Sequence, residues 1–514
     1  MNKKLCLKLS AWIMLLFVAT ACSKKTEYTN AIPGDATAVF SFNLNELGKK
    51  AGGSEENKAL IEKMTEALGQ SNLNAATVDQ LKTIVKDPKA SGIDLREPVY
   101  IFRSADFPVA LLAKVNNEDD LQKLIGLGEK EQACTPVAEG EGYRYTTINN
   151  QLLLAFTPTT VIMTDYGNEA ATQEKMLANL ATVLKQTAEN SINADEGFQK
   201  AVGMKKDITL YASYAALPKM YTEALRSTMP NIPNWEGMII LGGLSFEKGQ
   251  IVIDMEPYAK DAELKAYIEK QSEATLPLQN KYLSNYPPAT WCYLTMGVNG
   301  EKAVSNLQET NALAILPDGQ RQLLEQLLKS LRNDVSAGAF MEKGMPTVLL
   351  CAETEDENLL KTFFEKATEQ HLLRKNEMIQ VNDQEYVFQS LFKVYFGIKD
   401  KNLYITNGEQ LYKDLMAGKN PDNEKMPYAD KLKGKNSAFI LNIEAICSQP
   451  EVGLAMQSMR DKELVELWQI VQKMTHIEAT SDGQHAQGVI GLKDKDQNAL
   501  KFIVDNIKQL AGGF

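Results

Sequence analysis

Histidine is scarce in this chain, with only His371, His476 and His485 among 514 residues. Neither an H-E-x-x-H helix nor a Cys-x-x-Cys pair occurs, so no zinc site of familiar spacing is present. The G-x-x-x-x-G-K-[ST] phosphate loop and the G-x-G-x-x-G fingerprint are missing as well. Gly434-Lys435-Asn436-Ser437 lacks the upstream glycine of a phosphate loop and reads as the lead into a strand, SAFILNI. No EF-hand loop occurs, and DKDQN (494–498) reads as a helix start. The nucleophile elbow G-x-S-x-G is absent too. A Ser–His–acid triad stays open, because its members converge only in space. A carboxylate pair of the glycosidase kind cannot be singled out among 66 acidic residues. No residue is therefore assigned to catalysis, to a cofactor or to a metal.

Positive charge is also in short supply. The chain carries a net charge of -11, and Lys3, Lys4 and Lys8 lie in a segment expected to be removed, so the mature chain is more acidic still. Such a body repels phosphate backbones, which argues against nucleic acid as a partner. It repels anionic headgroups equally, so attachment to a membrane needs something other than charge. Long apolar runs are lacking apart from Ala11–Val18, which is too short to span a bilayer. Of six cysteines, Cys134, Cys292, Cys351 and Cys447 lie far apart in the body. Cys292 and Cys351 sit in strand-like runs and are read as buried free thiols, with a bridge between neighbouring strands as the alternative.

What is present begins with an export signal. Residues 1–21 have a basic start, an apolar run and small residues, the pattern of a cleaved signal peptide. Ala19-Thr20-Ala21-Cys22 resembles the lipobox of bacterial lipoproteins, although Ala19 replaces the commoner leucine. Cys22 is the expected lipid-attachment residue, and 22–31 the tether. Ser23-Lys24-Lys25 contains no aspartate at the position after the cysteine. By resemblance to the diderm sorting rule, this favours the outer membrane, and the absence of an acidic run favours its periplasmic face.

The remainder repeats itself, and repeats govern architecture. IPGDATAVFSFNLNEL (32–47) parallels YPPATWCYLTMGVNGE (286–301). FPVALLAKVNNEDDLQKLI (107–125) parallels MPTVLLCAETEDENLLKTF (345–363), and DITLYASYAAL (207–217) parallels NSAFILNIEAI (436–446). These echoes imply two tandem units, 32–275 and 282–514. Each carries a strand–helix–hairpin–helix theme twice. Acids preceding apolar stripes, such as Asp119 and Asp120 before Leu121, or Asp261 before Leu264, suit a positive helix N-terminus. In ILPDGQRQLLEQLLKSL (315–331), Asp318 is the expected helix N-cap. Lys248-Gly249, Asp482-Gly483 and, more weakly, Asn149-Asn150 mark hairpin turns. Alternation such as Val39-Phe40-Ser41-Phe42 predicts strands with one buried face. The fold class that follows is α+β: an antiparallel or mixed β-sheet in each unit, layered with helices.

Loops carry binding function more often than core elements do. Trp291 falls in a strand-like run and is expected in a core. Trp235, inside TMPNIPNWEGM (228–238), is the candidate contact-loop residue.

Taken together, the Cys22 lipobox, the segment IPGDATAVFSFNLNELGKK and its partial echo near 286 resemble a family of large Bacteroidota envelope lipoproteins classified as a domain of unknown function. The resemblance implies an envelope protein and supplies no catalytic residues. A non-enzymatic binding or scaffolding module is the preferred expectation, with an envelope protein or ligand as its partner and lipid on Cys22 as its hold on the membrane. The alternatives are an envelope hydrolase, which needs a histidine near a nucleophile or a carboxylate pair in a cleft, and a carrier, which needs an enclosed apolar cavity.

Overall fold

Strands form where the short apolar runs are bounded by turn residues, and helices where the apolar spacing changes to three and four. The computed structural model describes residues 27–53, 58–166, 170–217, 220, 222–223, 232–373, 377–390, 392–419, 421, 424, 426–458 and 460–510. The expected signal peptide and Cys22 lie outside the described residues. The chain divides into two units, each discontinuous in sequence. The first comprises Met1–Leu217, Ile239–Ile253 and Lys495–Phe514, and the second Pro218–Met238 and Asp254–Asp494.

In the first unit, strands β1 (Ala38–Phe42), β2 (Val99–Arg103), β3 (Ala110–Lys114), β4 (Ala138–Glu139), β5 (Arg144–Ile148), β6 (Leu152–Phe156), β7 (Thr160–Asp165), β8 (Ile208–Ser213) and β9 (Met238–Glu247) form an antiparallel sheet. Their spatial order is β4-β5-β6-β7-β3-β2-β1-β8-β9. Helices α1 (Leu44–Lys50), α2 (Lys58–Gly69), α3 (Ala75–Lys86), α4 (Glu118–Lys130), α5 (Ala170–Val183) and α6 (Glu196–Gly203) accompany it. Leu121 and Ile125 of α4 pack on Val99, Ala113, Phe156 and Val161 on one sheet face. On the other face Tyr100, Phe198 and Tyr211 form an aromatic series with successive ring centroids 6.2 Å apart, the first pair tilted and the second edge-to-face. Strand β10 (Gln250–Ala259) follows β9 through a two-residue turn in which Gly249 adopts φ 69°.

The second unit contains β11 (Thr275–Leu276), β12 (Cys292–Asn299), β13 (Leu331–Glu342), β14 (Met345–Thr354), β15 (Met378–Asn382), β16 (Glu385–Gln389), β17 (Lys393–Lys399), β18 (Asn402–Thr406), β19 (Ser437–Leu441), β20 (Met474–Ser481) and β21 (Ala486–Leu492). The antiparallel order is β15-β16-β17-β18-β14-β13-β12-β19-β20-β21, with β11 added beside the end of β12. Its helices are α7 (Ala262–Ser272), α8 (Gly300–Glu309), α9 (Asp318–Ser330), α10 (Leu359–Glu369), α11 (Glu409–Met416), α12 (Ile443–Cys447), α13 (Pro450–Gln457) and α14 (Lys462–Val471). The last helix, α15 (Ala499–Leu510), belongs to the first unit. The architecture is α+β, with antiparallel sheets layered by helices.

Helix starts follow the capping logic with a change of residue. Asn117 Oδ1 accepts from the amides of Asp119 and Asp120 at 3.0 and 3.3 Å, leaving both acids in the first turn of α4. Asp261 itself caps α7, accepting from the Leu264 amide at 2.7 Å. The expected cap at Asp318 is corrected: Pro317 holds the N-cap position and Asp318 is the first helical residue, where its charge still faces the positive helix end. The Asn149-Asn150 turn is left-handed at both residues, φ 50° and 55°, as a two-residue hairpin demands.

Strand parity answers the cysteine question. Tyr293, not Cys292, shares a face with Cys351, because Cys292 pairs with Ala339 and Cys351 with Ser336. The two thiols therefore point to opposite faces of the sheet and cannot approach. All four described cysteines are free.

Candidate functional site

The three histidines go to different places. His371 is exposed after α10, in a left-handed conformation with φ 58°. His476 is buried on β20, its ring stacked on Tyr428 at 4.2 Å and its Nδ1 2.9 Å from Thr475 Oγ1. Its Nε2 is 3.5 Å from Glu478 Oε2, and Lys431 Nζ donates to the same oxygen at 2.8 Å. Burial pushes the Glu478 carboxyl up, yet hydrogen bonds from His476 and Lys431, together with their charges, outweigh it and hold the group below its ordinary value. His476 and Glu478 are buried, 5% and 3% exposed, while Lys431 reaches them from the surface with 43% of its side chain exposed, and the cluster reads as an ionic anchor of the sheet.

His485 lies beside the β20–β21 turn. Its Nδ1 is 3.1 Å from Glu256 Oε2 of β10. A polar pocket of about 290 Å³ opens here, lined by Ser272, Asn436, Asp482, Gly483, Gln484 and His485. Burial raises the Asp482 carboxyl, but the amides of His485 and Gln484, at 2.8 and 3.1 Å, bring it below its usual range. The Ser272 hydroxyl donates to the Glu269 carbonyl at 2.6 Å, bonding back into its own helix. Structure thus brings a histidine and two carboxylates together, a grouping the sequence did not indicate.

Trp235 begins a short 3₁₀ turn, Trp235–Gly237, and is half-buried. Part of the expected contact loop, 228–231, lies outside the described residues. Trp291 stands just before β12 and is half-buried too.

The largest departure from a simple surface is on the sheets. In β1 the buried side holds Val39 and Ser41, while Phe40 points outward and is 40% exposed. In β12 the buried side holds Tyr293 and Thr295, and Leu294 and Met296 point outward at 47% and 38%. Phe439 of β19, directly opposite Leu294, is 37% exposed. Following the register across the second sheet gives one row on this face: Gly488, Ala479, Phe439, Leu294, Ala337, Leu350, Ile405, Phe396. The corresponding row of the first sheet is Gly242, Leu210, Phe40, Ile101, Leu111, Met163, Leu154. Neither row contains a charge. One end of each face is covered, by α10 over Leu350, Ile405 and Phe396 and by α4 over Leu111 and Leu154. The other end is open at Leu294 and Phe439, and at Phe40. Val348, in the next row through Ala339, is 54% exposed.

A solvent-facing antiparallel sheet ordinarily alternates apolar-in and polar-out. Here the outward positions are as apolar as the inward ones. The signal was visible as near-continuous apolar runs, AVFSF, WCYLTM and AFIL, which give a strand two apolar faces where one-sided burial needs only one.

A family model described as "Domain of unknown function (DUF4836)" matches residues 28–500. No curated protein matches this chain. Among solved structures, two crystal forms of TP0453, forms I and IV, are similar at 13% identity. They cover 46% and 45% of this chain and 81% of that chain, with TM-scores of 0.24 and 0.25.

Proposed function

The chain belongs to the DUF4836 family of unknown function, and from that premise we propose a membrane-anchored envelope lipoprotein whose body is a non-enzymatic binding or scaffolding module. Lipid on Cys22 holds it at the periplasmic face of the outer membrane, and its partner is another envelope protein. One observation carries the binding reading: the open, uncharged sheet face at Leu294, Met296, Val348 and Phe439. Contiguous exposed apolar side chains are a mark of interaction surfaces, since each Å² removed from water contributes about 25 cal/mol. A partner covering this face gains that burial without breaking a backbone hydrogen bond, because the strand ladder is already complete.

The tandem reading, 32–275 and 282–514, draws support from the two strand orders: the nine strands of the first match the first nine of the second. Phe40 and Leu294 occupy the same node in the two orders. Two related faces in one chain suit a scaffold, by analogy with other repeated architectures.

Capture from detergent-solubilised envelopes tests the proposal. The wild-type chain retrieves a stoichiometric partner, and the Leu294→Asp, Phe439→Asp double variant loses it. Equal retrieval by the variant would remove the sheet face from the reading. Intact-mass measurement of the purified N-terminus tests acylation separately. The His485–Glu256 pair favours a second reading, an envelope hydrolase, which predicts substrate turnover abolished by His485→Gln. The polar lining of the pocket suits a polar substrate and not the apolar cargo of a carrier.

A further inference from the structure

Helices α13 and α14, in the connection between β19 and β20, carry apolar side chains yet are hardly packed, and α14 is amphipathic. No residue of α14 is buried, and none of the described side chains of α13 is buried either. Leu464, Leu467, Trp468 and Val471 recur at spacings of three and four, which places them on one stripe. Leu464 is 46% exposed, Leu467 54%, and Leu454 of α13 67%. Core burial therefore does not account for these apolar side chains. The same connection in the other strand order, after β8, also exposes apolar residues, Leu217 at 40% and Met220 at 68%.

We propose that the α14 stripe, with Leu454 of α13, seats in the surface of a neutral lipid bilayer. The inference rests on the lipid-anchor reading for its choice of occupant. Only five residues, 22–26, separate Cys22 from the first described residue Glu27 inclusive of the cysteine. They span at most about 18 Å when fully extended. A 250-residue unit has a radius of gyration of about 18 Å, so the first unit on so short a leash lies against its own membrane. The second unit, which carries α13 and α14, is joined to it through the chain and stays within reach of the same surface. Leucine and tryptophan on one helix side suit the boundary between headgroups and acyl chains. The polar side carries Lys462, Glu463, Glu466 and Gln469, a mixture without the lysine and arginine excess that anionic lipid selects.

The test uses the mature chain made without lipid, as Cys22→Ser, and vesicles of phosphatidylcholine. Co-flotation of the wild-type body, with quenching of its tryptophan emission by brominated lipid, is the expected result. Leu464→Glu with Leu467→Glu lowers the partition coefficient at least tenfold, and Trp468→Phe removes most of the quenching. Circular dichroism and the urea midpoint of the double leucine variant stay unchanged, because Leu464 and Leu467 are exposed. Replacing a third of the lipid by phosphatidylglycerol does not strengthen binding. A body that never floats, or a double variant that floats as well as wild type, overturns the proposal. An unacylated N-terminus in the native protein would instead sink the anchor reading, and the vesicle result would stand apart from it.

Discussion

Two leucines on one sheet provide a sharp test of which face is open. Leu349 and Leu294 lie on β14 and β12, on opposite faces by strand parity. Leu349 is 0% exposed, in a core with Tyr286, Tyr293, Cys351 and Tyr404. Truncating it to alanine removes packed methyls and leaves a cavity, at a cost of about 2–5 kcal/mol. Leu294 is 47% exposed, so roughly half of its side-chain burial is at stake and no closed cavity forms. Full burial of leucine is worth about 1.5–3 kcal/mol, so Leu294→Ala should cost roughly 1 kcal/mol or less. Trp235, Trp291 and Trp468 all fall within the second unit, and the remaining tryptophan, Trp12, is in the segment proposed to be cleaved on export. Intrinsic fluorescence of the mature chain therefore follows this unit alone. At an m-value of about 2 kcal/mol per molar urea, Leu349→Ala moves the midpoint down by about 1–2.5 M and Leu294→Ala by about 0.5 M or less. Equal shifts would mean that Leu294 is covered in solution, and the reasoning that makes this face a partner surface would fail.

Three further outcomes follow from the same geometry. Glu478→Gln destabilises the second unit by about 1–3 kcal/mol at neutral pH, because Lys431 and His476 lose an ionised partner. The native carboxyl titrates below its ordinary 4.5, so its contribution is complete above that value and fades as pH falls through the lowered one; urea midpoints of wild type and variant should converge in acid. Gly338→Ala places a Cβ 2.7 Å from the Tyr286 ring and should cost about 1–3 kcal/mol by fluorescence-monitored unfolding, whereas Gly453→Ala meets nothing within 4 Å in a helix and should be neutral or stabilising. Burial pushes the Cys351 thiol up to about 12, so iodoacetamide at pH 8 should spare it in the native protein while alkylating half-exposed Cys292; a Cys292–Cys351 disulfide in a non-reducing digest would contradict the strand register.

Much of the local structure was legible because it depends on neighbours in sequence. The turns at Lys248-Gly249 and Asn149-Asn150 need left-handed backbone, and asparagine and glycine advertise it. The stripes beginning at Leu121 and Leu264 both became helices, since spacing by three and four suits no other element. The assignment of caps was less secure: asparagine and aspartate compete for one geometric position, and at Asp318 a proline took it. The alternation in Val39-Phe40-Ser41-Phe42 was read correctly as a strand, but its polarity was hidden. Both parities are apolar there, and a strand by itself does not say which parity a helix will cover.

The sequence by itself determined the element types, the hairpins, the α+β class and the absence of familiar catalytic spacing, because each of these is written in residues a few positions apart. Only the tertiary structure decided that Cys292 and Cys351 face opposite ways, that His485 meets Glu256 while Lys431 meets Glu478, and that Phe40, Leu294 and Phe439 remain open to solvent. Those outcomes depend on strand register and on which helix covers which face, and both are set by contacts between residues tens to hundreds of positions apart.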